Sequence, residues 1–430
     1  MKRKDNFSFP TFEDFDTSTD NGMSRRKWLK RLGILPLATV MSGLKATPVN
    51  SLGSLPAKDL FDVKGTFINA AFTHPMSKAT AAAVQAYVRK RQDNDFAAVN
   101  QMNLNRTEVK ELFAKLINAK PAEVAWVPST MVGENFIVSG LGIPGTSARV
   151  VTDMLHFDGS LYLYGQLSKN GVDVQVVRPR ENKIDLKDLE TAITPGTKLV
   201  SLSLVSTVNG FQHDLKAVCD LAHSRGAFVF ADIIQAAGAV PIDVRASGVD
   251  FCACASYKWL MGDFGAGFLY VRQDRLDRLK RTQYGYRQIK DFTSHAFPYD
   301  SPGTMPYEWE STDDVGGYFQ VGTYASGAIA ALRDSLSYLL ETGVNRIQDH
   351  RQALLRKLQT ELPKLGYTPM TPMDSTSPIV TFAFKDADRI LKPRLDAANI
   401  NISVYQNRFR ISPSVYNDMA DINKLIETLS

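Results

Sequence analysis

Several polar residues of this chain stand directly after short apolar runs, which is where a buried sheet hands side chains to a ligand. Asp232 follows Ala227–Ala231, with Gln235 three residues on; Ser256, Tyr257 and Lys258 follow Phe251–Ala255. Thr207 and Asn209 come after Leu199–Val205, Asp153, His156 and Phe157 after Arg149–Thr152, and Ser129 and Thr130 after Ala122–Val127. The runs are rich in Val, Leu, Phe and Ala, as strands buried on both faces are. In an open α/β sheet, ligands collect beyond the carboxyl ends of the strands. A lysine on such a rim loses water, so its pKa falls and its amine becomes nucleophilic. An aspartate there can hold a protonated ring nitrogen. Hydroxyls at a helix start, Ser129 and Thr130, suit a phosphate.

Taken singly, a lysine after a strand is a solvated loop residue and an aspartate a helix cap. Together and in this order they are what pyridoxal 5′-phosphate (PLP) requires. The lysine carries the aldehyde as a Schiff base, and the carboxylate keeps the pyridine protonated so that it accepts electrons.

The elements that must position these groups alternate. Helical patterns at Ala81–Arg91, Arg106–Ile117 and Leu215–Ser224 lie among the apolar runs, one more of which is Val172–Val177. That alternation predicts a largely parallel α/β sheet. After about residue 325 the pattern changes to long helices over Ala325–Leu340 and Val344–Leu362. Strands at Ile379–Phe384 and Phe409–Ser412 and helices at Ala387–Ala398 and Met419–Leu429 follow. The expected organisation is a large PLP-binding domain over 65–325 and a small α+β domain formed by 47–64 and 326–430.

The run Phe228–Gly238, then Val249-Asp250-Phe251, Ser256–Gly262 and Gly265–Tyr270 resembles class V aminotransferase-fold enzymes. These are fold-type I PLP proteins, among them cysteine desulfurases, kynureninases and isopenicillin N epimerase-like proteins. The resemblance spans roughly residues 65–425 and implies a seven-stranded-type, mostly parallel sheet between helices. It implies that Lys258 forms the Schiff base and moves protons, that Asp232 pairs with the pyridine nitrogen, and that Gln235 bonds the ring hydroxyl. Ser129 and Thr130 match phosphate contacts, and Phe157, or else His156, would stack on the ring. Thr207 falls where many members have Asn, with Asn209 as the alternative. Tyr257 replaces a common His, and Ala255 a frequent Ser, so a phosphate contact would move to Ser256 or Tyr257. Phe319-Gln320-Val321-Gly322-Thr323 resembles a segment whose Thr reaches the phosphate of the neighbouring subunit, implying a homodimer with shared active sites. Arg410-Ile411-Ser412-Pro413 before Tyr416-Asn417 resembles the segment whose arginine grips the substrate carboxylate; Arg408 is its rival. Asn69 and His74 resemble an N-terminal segment near the substrate.

The substrate implied is an amino acid, handled through an external aldimine and an α-carbanion. Aminotransfer, C–S lysis and epimerisation all remain open, because a fold does not choose among them. The segments Tyr257–Leu260 and Asp153–Ser160 are most similar to isopenicillin N epimerase-like proteins, a label covering epimerases and C–S lyases. A desulfurase needs a mobile cysteine ahead of the carboxylate-binding arginine, and 396–409 contains none. Cys252 and Cys254, two apart in an apolar run, would share one strand face as buried thiols, and with Cys219 they lack metal-ligand spacing. No metal is expected. The alternative to an enzyme is a protein that binds PLP or an amino acid without turnover; retention of Lys258, Asp232 and Arg410 together argues against it.

The net charge of +5 is concentrated at one end: residues 1–46 hold nine Lys/Arg against five Asp/Glu. A nearly neutral body argues against nucleic acid as a partner. The leader is read as disordered and polar over 5–22. Ser24-Arg25-Arg26-Lys27-Trp28-Leu29-Lys30 then precedes a short apolar stretch, Leu32–Leu44. That layout resembles a twin-arginine signal. It predicts engagement of the twin-arginine export machinery and a periplasmic or exported protein; without a working signal the protein would be cytoplasmic.

Overall fold

The computed structural model describes residues 54–93, 95 and 97–430; the expected leader over 1–46 lies outside the described residues. A short helical turn at Lys58–Leu60 precedes the first strand, the two-residue β1 (Thr66–Phe67). The main sheet follows: β2 (Val124–Val127), β3 (Arg149–Asp153), β4 (Asp173–Val177), β5 (Thr197–Ser203), β6 (Phe228–Asp232), β7 (Phe251–Ala255) and β8 (Gly267–Val271). Its order is β2-β8-β7-β6-β5-β3-β4. β8 runs antiparallel to both β2 and β7, and every other pairing is parallel. All strands but β8 therefore point the same way, and the carboxyl ends of β2, β3, β5, β6 and β7 form one rim.

The double-sided burial expected of these runs is observed except in the run Val172–Val177, whose strand β4 lies at the sheet edge and leaves Val176 exposed. In β7, Cys252 and Cys254 join one apolar layer and Phe251 and Ala253 the other. β5 divides likewise, with Val200 and Leu202 on one side and Leu199 on the other. Each large side chain buried this way contributes about 1.5–3 kcal/mol. Helices Thr130–Gly140, Asp158–Lys169 and Leu215–Ser224 connect the strands. Ser129 and Asp214 start the first and last of these by accepting the N–H of Val132 and Ala217.

A separate unit consists of the antiparallel hairpin β9 (Ile289–Ser294) and β10 (Tyr307–Ser311), with an irregularity at Glu310/Ser311. Phe292, Tyr307 and Trp309 line up on it and are exposed.

Further on, β11 (Thr368–Pro369), β12 (Val380–Ala383), β14 (Ser403–Tyr405) and β15 (Arg408–Ile411) make an antiparallel sheet in the order β11-β12-β15-β14, and β13 (Ile400–Asn401) pairs in parallel with β1. Helices Val344–Glu361, Ala387–Ala397 and Met419–Leu429 cover its core of Phe382, Phe409, Ile411, Leu358 and Leu425. Period-two alternation then puts Arg408 and Arg410 on the opposite face of β15 from Phe409 and Ile411. One helix differs from expectation: the pattern at Arg106–Ile117 belongs to a helix that begins at Ala97, because Asp95 accepts the Ala97 N–H and starts it earlier.

Candidate active site

Lys258 sits three residues past β7, and its side chain is nearly enclosed at 8 % exposure. Among the described residues its ammonium has no ion pair or hydrogen bond; the Tyr257 ring lies 5.7 Å away. Burial brings its pKa down from 10.5 to about 8, with Arg410 adding to the drop and Asp232 opposing it. Roughly a tenth of the amine is therefore neutral and nucleophilic at pH 7, far more than for a solvated lysine.

Asp232 ends β6, is 3 % exposed, and accepts the Ile234 N–H at 2.9 Å. Burial raises its pKa above the ordinary carboxylate value. Ser203 Oγ lies 3.5 Å from its Oδ2 and 2.9 Å from His156 Nδ1. Behind them stands a group that the sequence reading did not single out. Glu134 is fully buried and accepts from Ser160 Oγ at 2.6 Å, Tyr164 Oη at 2.8 Å, Ser201 Oγ at 2.8 Å and His156 Nε2 at 3.3 Å. His156 Nδ1 accepts the Phe157 N–H at 2.8 Å, leaving Nε2–H to face Glu134. Burial would push the Glu134 carboxyl up, but these donors hold it below its ordinary value. Its only signal in the sequence is an acid within the apolar helical run 131–138.

Gln235 reaches the same region with its amide fully engaged. Nε2 donates to Ala71 O at 3.0 Å and Thr207 Oγ1 at 3.1 Å, and Oε1 accepts from Trp259 Nε1 at 2.8 Å. A ring hydroxyl would therefore have to compete with Thr207 for its N–H. Thr207 in turn receives Arg410, whose Nη1 donates to Thr207 O at 3.0 Å and Oγ1 at 2.5 Å. The loop that carries Thr207 turns at Gly210, where φ is +73° and any Cβ would collide with Ile379 O, so no larger residue fits. Arg410 is 3 % exposed, has no carboxylate partner among the described residues, and leaves its Nε without an acceptor. Burial lowers its pKa.

Ser129 and Thr130 stand at the start of an eleven-residue helix. Thr130 Oγ1 accepts the Ala255 N–H at 2.9 Å, which binds this helix start to the end of β7 beside Lys258. Phe157 is half-buried next to His156.

Other expected residues lie elsewhere or are committed. The Ser256 hydroxyl donates to Asp263 O at 2.6 Å, so its hydrogen is taken. Tyr257 stacks on Phe264 at 4.4 Å. Asn209 braces the loop through Asn182 O and Met370 O and does not join Thr207 at Arg410. Arg408 lies over the Tyr405 ring at 4.4 Å. His74 is buried between Pro75 O and Ser414 Oγ, and burial pulls its pKa down to about 4, the mark of a neutral structural imidazole. Asn69 contacts Ser403 and Asn401 and makes no hydrogen bond to Lys258, Asp232 or Arg410. Thr323 is exposed and lines a cavity of about 320 Å³ with Trp126, Phe136 and Tyr324.

Comparison with known proteins bears on this rim. The profile of the family "Aminotransferase class-V" matches residues 67–425. The chain belongs to the class V aminotransferase family. It is 27% identical over 304 residues to a probable cysteine desulfurase of Methanothermobacter thermautotrophicus, covering 70% of this chain and 72% of that protein. It is 27% identical over 360 residues to an uncharacterized aminotransferase, YcbU, of Bacillus subtilis, covering 84% and 91%. In fold it is similar to the apo cysteine desulfurase of Thermococcus onnurineus NA1, with a TM-score of 0.74 at 22% identity over 85% of this chain and 94% of that one.

As a class V aminotransferase the chain is a PLP-dependent enzyme acting on an amino acid, and the residues present fit the cofactor. A buried amine with no ion pair or hydrogen bond among the described residues, a buried carboxylate one strand away and a helix start with Ser129 and Thr130 are the groups PLP needs. When bound, PLP supplies the electron sink that stabilises negative charge at the substrate Cα. Lys258 would hold it, Asp232 would keep its ring nitrogen protonated, and Ser129 and Thr130 would take its phosphate.

Proposed function

We propose that this class V aminotransferase binds an α-amino acid through its carboxylate at Arg410, moves the Cα proton with Lys258, and completes its reaction without a protein thiol. One observation carries the reading: the partly neutral Lys258 amine and the Asp232 carboxylate on the rim are met by the Arg410 guanidinium of β15, which bonds Thr207 and has no carboxylate partner among the described residues. A guanidinium suits the carboxylate because two parallel N–H groups match two oxygens. Aminotransfer, C–S lysis and epimerisation are each consistent with this proton chemistry.

Persulfide transfer is disfavoured, although relatives carry the name cysteine desulfurase. Cys219, Cys252 and Cys254 are free and buried, and burial raises all three thiols, Cys219 to about 12. Such thiols are poor nucleophiles. Replacing all three with alanine should leave turnover of the best amino acid, scored for keto acid, sulfide and inverted product, within about threefold of the parent; loss of sulfide release in a variant that still folds would contradict the reading.

Three further proposals concern organisation and place. The large domain would span 65–325, with 47–64 and 326–430 as the small one. The enzyme would be a homodimer in which Thr323 completes the neighbouring site; it is exposed and bonds none of its own chain's site residues. The Arg25-Arg26 leader would carry the loaded protein through the twin-arginine machinery to the periplasm.

A further inference from the structure

We infer that Ser403, held by Asn69, is a positioning residue that fixes which edge of the Arg410 guanidinium is offered to the substrate, and thereby sets selectivity for α-carboxylates. The inference rests on the reading of Arg410 as the carboxylate site and adds the residues that make it selective.

A guanidinium has five N–H groups and no acceptor. The Nη1 nitrogen of Arg410 is committed to Thr207, through both O and Oγ1. One N–H of Nη2 goes to Ser403 Oγ at 3.2 Å. What remains is Nε–H, buried and without an acceptor among the described residues, and the second N–H of Nη2. Nε and Nη2 lie along one edge of the planar group, and that edge pairs with both oxygens of a carboxylate. Thr207 holds the Nη1 end of the plane, and Ser403 stops the planar group turning about Cδ–Nε.

Ser403 can do this because its own hydrogen is spoken for. Its hydroxyl donates to Asn69 Oδ1 at 2.7 Å, so a lone pair is left to receive Arg410. Asn69 is itself oriented, since its Nδ2 donates to Asn401 Oδ1 at 2.9 Å. Its backbone is clamped between neighbouring segments through a bridge to Ser412, next to the β1–β13 pairing. Ser403 stands directly opposite Arg410 in the β14–β15 register, so the contact is built into the strand pairing. The relay runs Asn401, Asn69, Ser403, Arg410, and every member but Arg410 is uncharged. The guanidinium is therefore oriented without being neutralised, and its charge is left to the ligand.

The test uses the full-length, PLP-loaded enzyme. The proteinogenic amino acids are screened by the change in visible absorption on binding, and the tightest is compared with its α-amide. The readout is the ratio of the two dissociation constants, together with the melting temperature. Ser403→Ala should cut the acid-over-amide preference by about five- to tenfold, the scale of one ordinary net hydrogen bond, while Ser403→Thr keeps it. Asn69→Ala should cut it by a smaller factor. Asn69→Asp should reduce it more than Asn69→Ala, because a carboxylate in the relay competes with the ligand for Arg410. If Ser403→Ala and Asn69→Ala lower the melting temperature but hold the parent ratio, the two residues are only structural and the inference is overturned. Arg410→Ala separates the two levels. If it leaves the ratio unchanged, Arg410 is not the carboxylate site and the underlying reading fails. If it abolishes the ratio while Ser403→Ala does not move it, the relay alone is wrong.

Discussion

Replacing Lys258 with methionine should make the PLP-free protein more stable at pH 6 and have little effect near pH 10.5. Burial brings the Lys258 pKa from 10.5 to about 8. At roughly 1.4 kcal/mol for each tenfold change in proton affinity, the folded state bears about 3 kcal/mol for enclosing the ammonium. The sign follows from proton counting. Between about pH 8 and pH 10.5 the unfolded chain binds more protons at this residue than the folded one, so this part of stability rises with pH. Below about pH 8 the cost is present in full, and above 10.5 it is gone. Methionine keeps most of the stem and removes the charge. Urea unfolding of parent and Lys258→Met, both free of PLP, at pH 6 and near pH 10.5 measures the difference. A gain of about 2–3 kcal/mol at pH 6 that vanishes at high pH is expected. No gain at pH 6, or the same gain at both values, would refute the claim that Lys258 is desolvated.

Two other outcomes follow from the same geometry. Arg410→Lys should weaken binding of the preferred amino acid by about tenfold or more, since an ammonium cannot offer two parallel N–H groups; spectral titration of the loaded enzyme checks it. Glu134→Leu should cost about 3–5 kcal/mol in denaturant unfolding, because it strands buried donors on His156, Ser160, Tyr164 and Ser201.

Lys258, Asp232 and the helix start at Ser129–Thr130 were legible because each directly follows a run whose apolar content marks a buried strand, and parallel strands deliver their ends to one rim. Arg410 was legible only from the segment around it; alternation along β15 explains afterwards why Arg410 faces away from the core while Phe409 enters it. The relay behind Arg410 was not legible, since Asn69 and Ser403 are 334 residues apart and meet only through strand pairing. Glu134 was hidden for a similar reason, as its donors come from β5, from the turn after β3 and from the helix Asp158–Lys169. The clamp of Trp259 on Gln235 is likewise a product of folding, joining the turn after β7 to the one after β6. The hairpin β9–β10 escaped because both of its strands are exposed and mix charged with aromatic residues, so no apolar run marks them.

The central claim is that Lys258 carries PLP. Purified full-length protein would be scanned for visible absorption, reduced with borohydride, digested, and its labelled peptide identified by mass. A yellow protein that bleaches on reduction, with the label on Lys258 and none in Lys258→Met, is the predicted result. A colourless protein that added PLP cannot reconstitute, or a label on another lysine, would contradict the account.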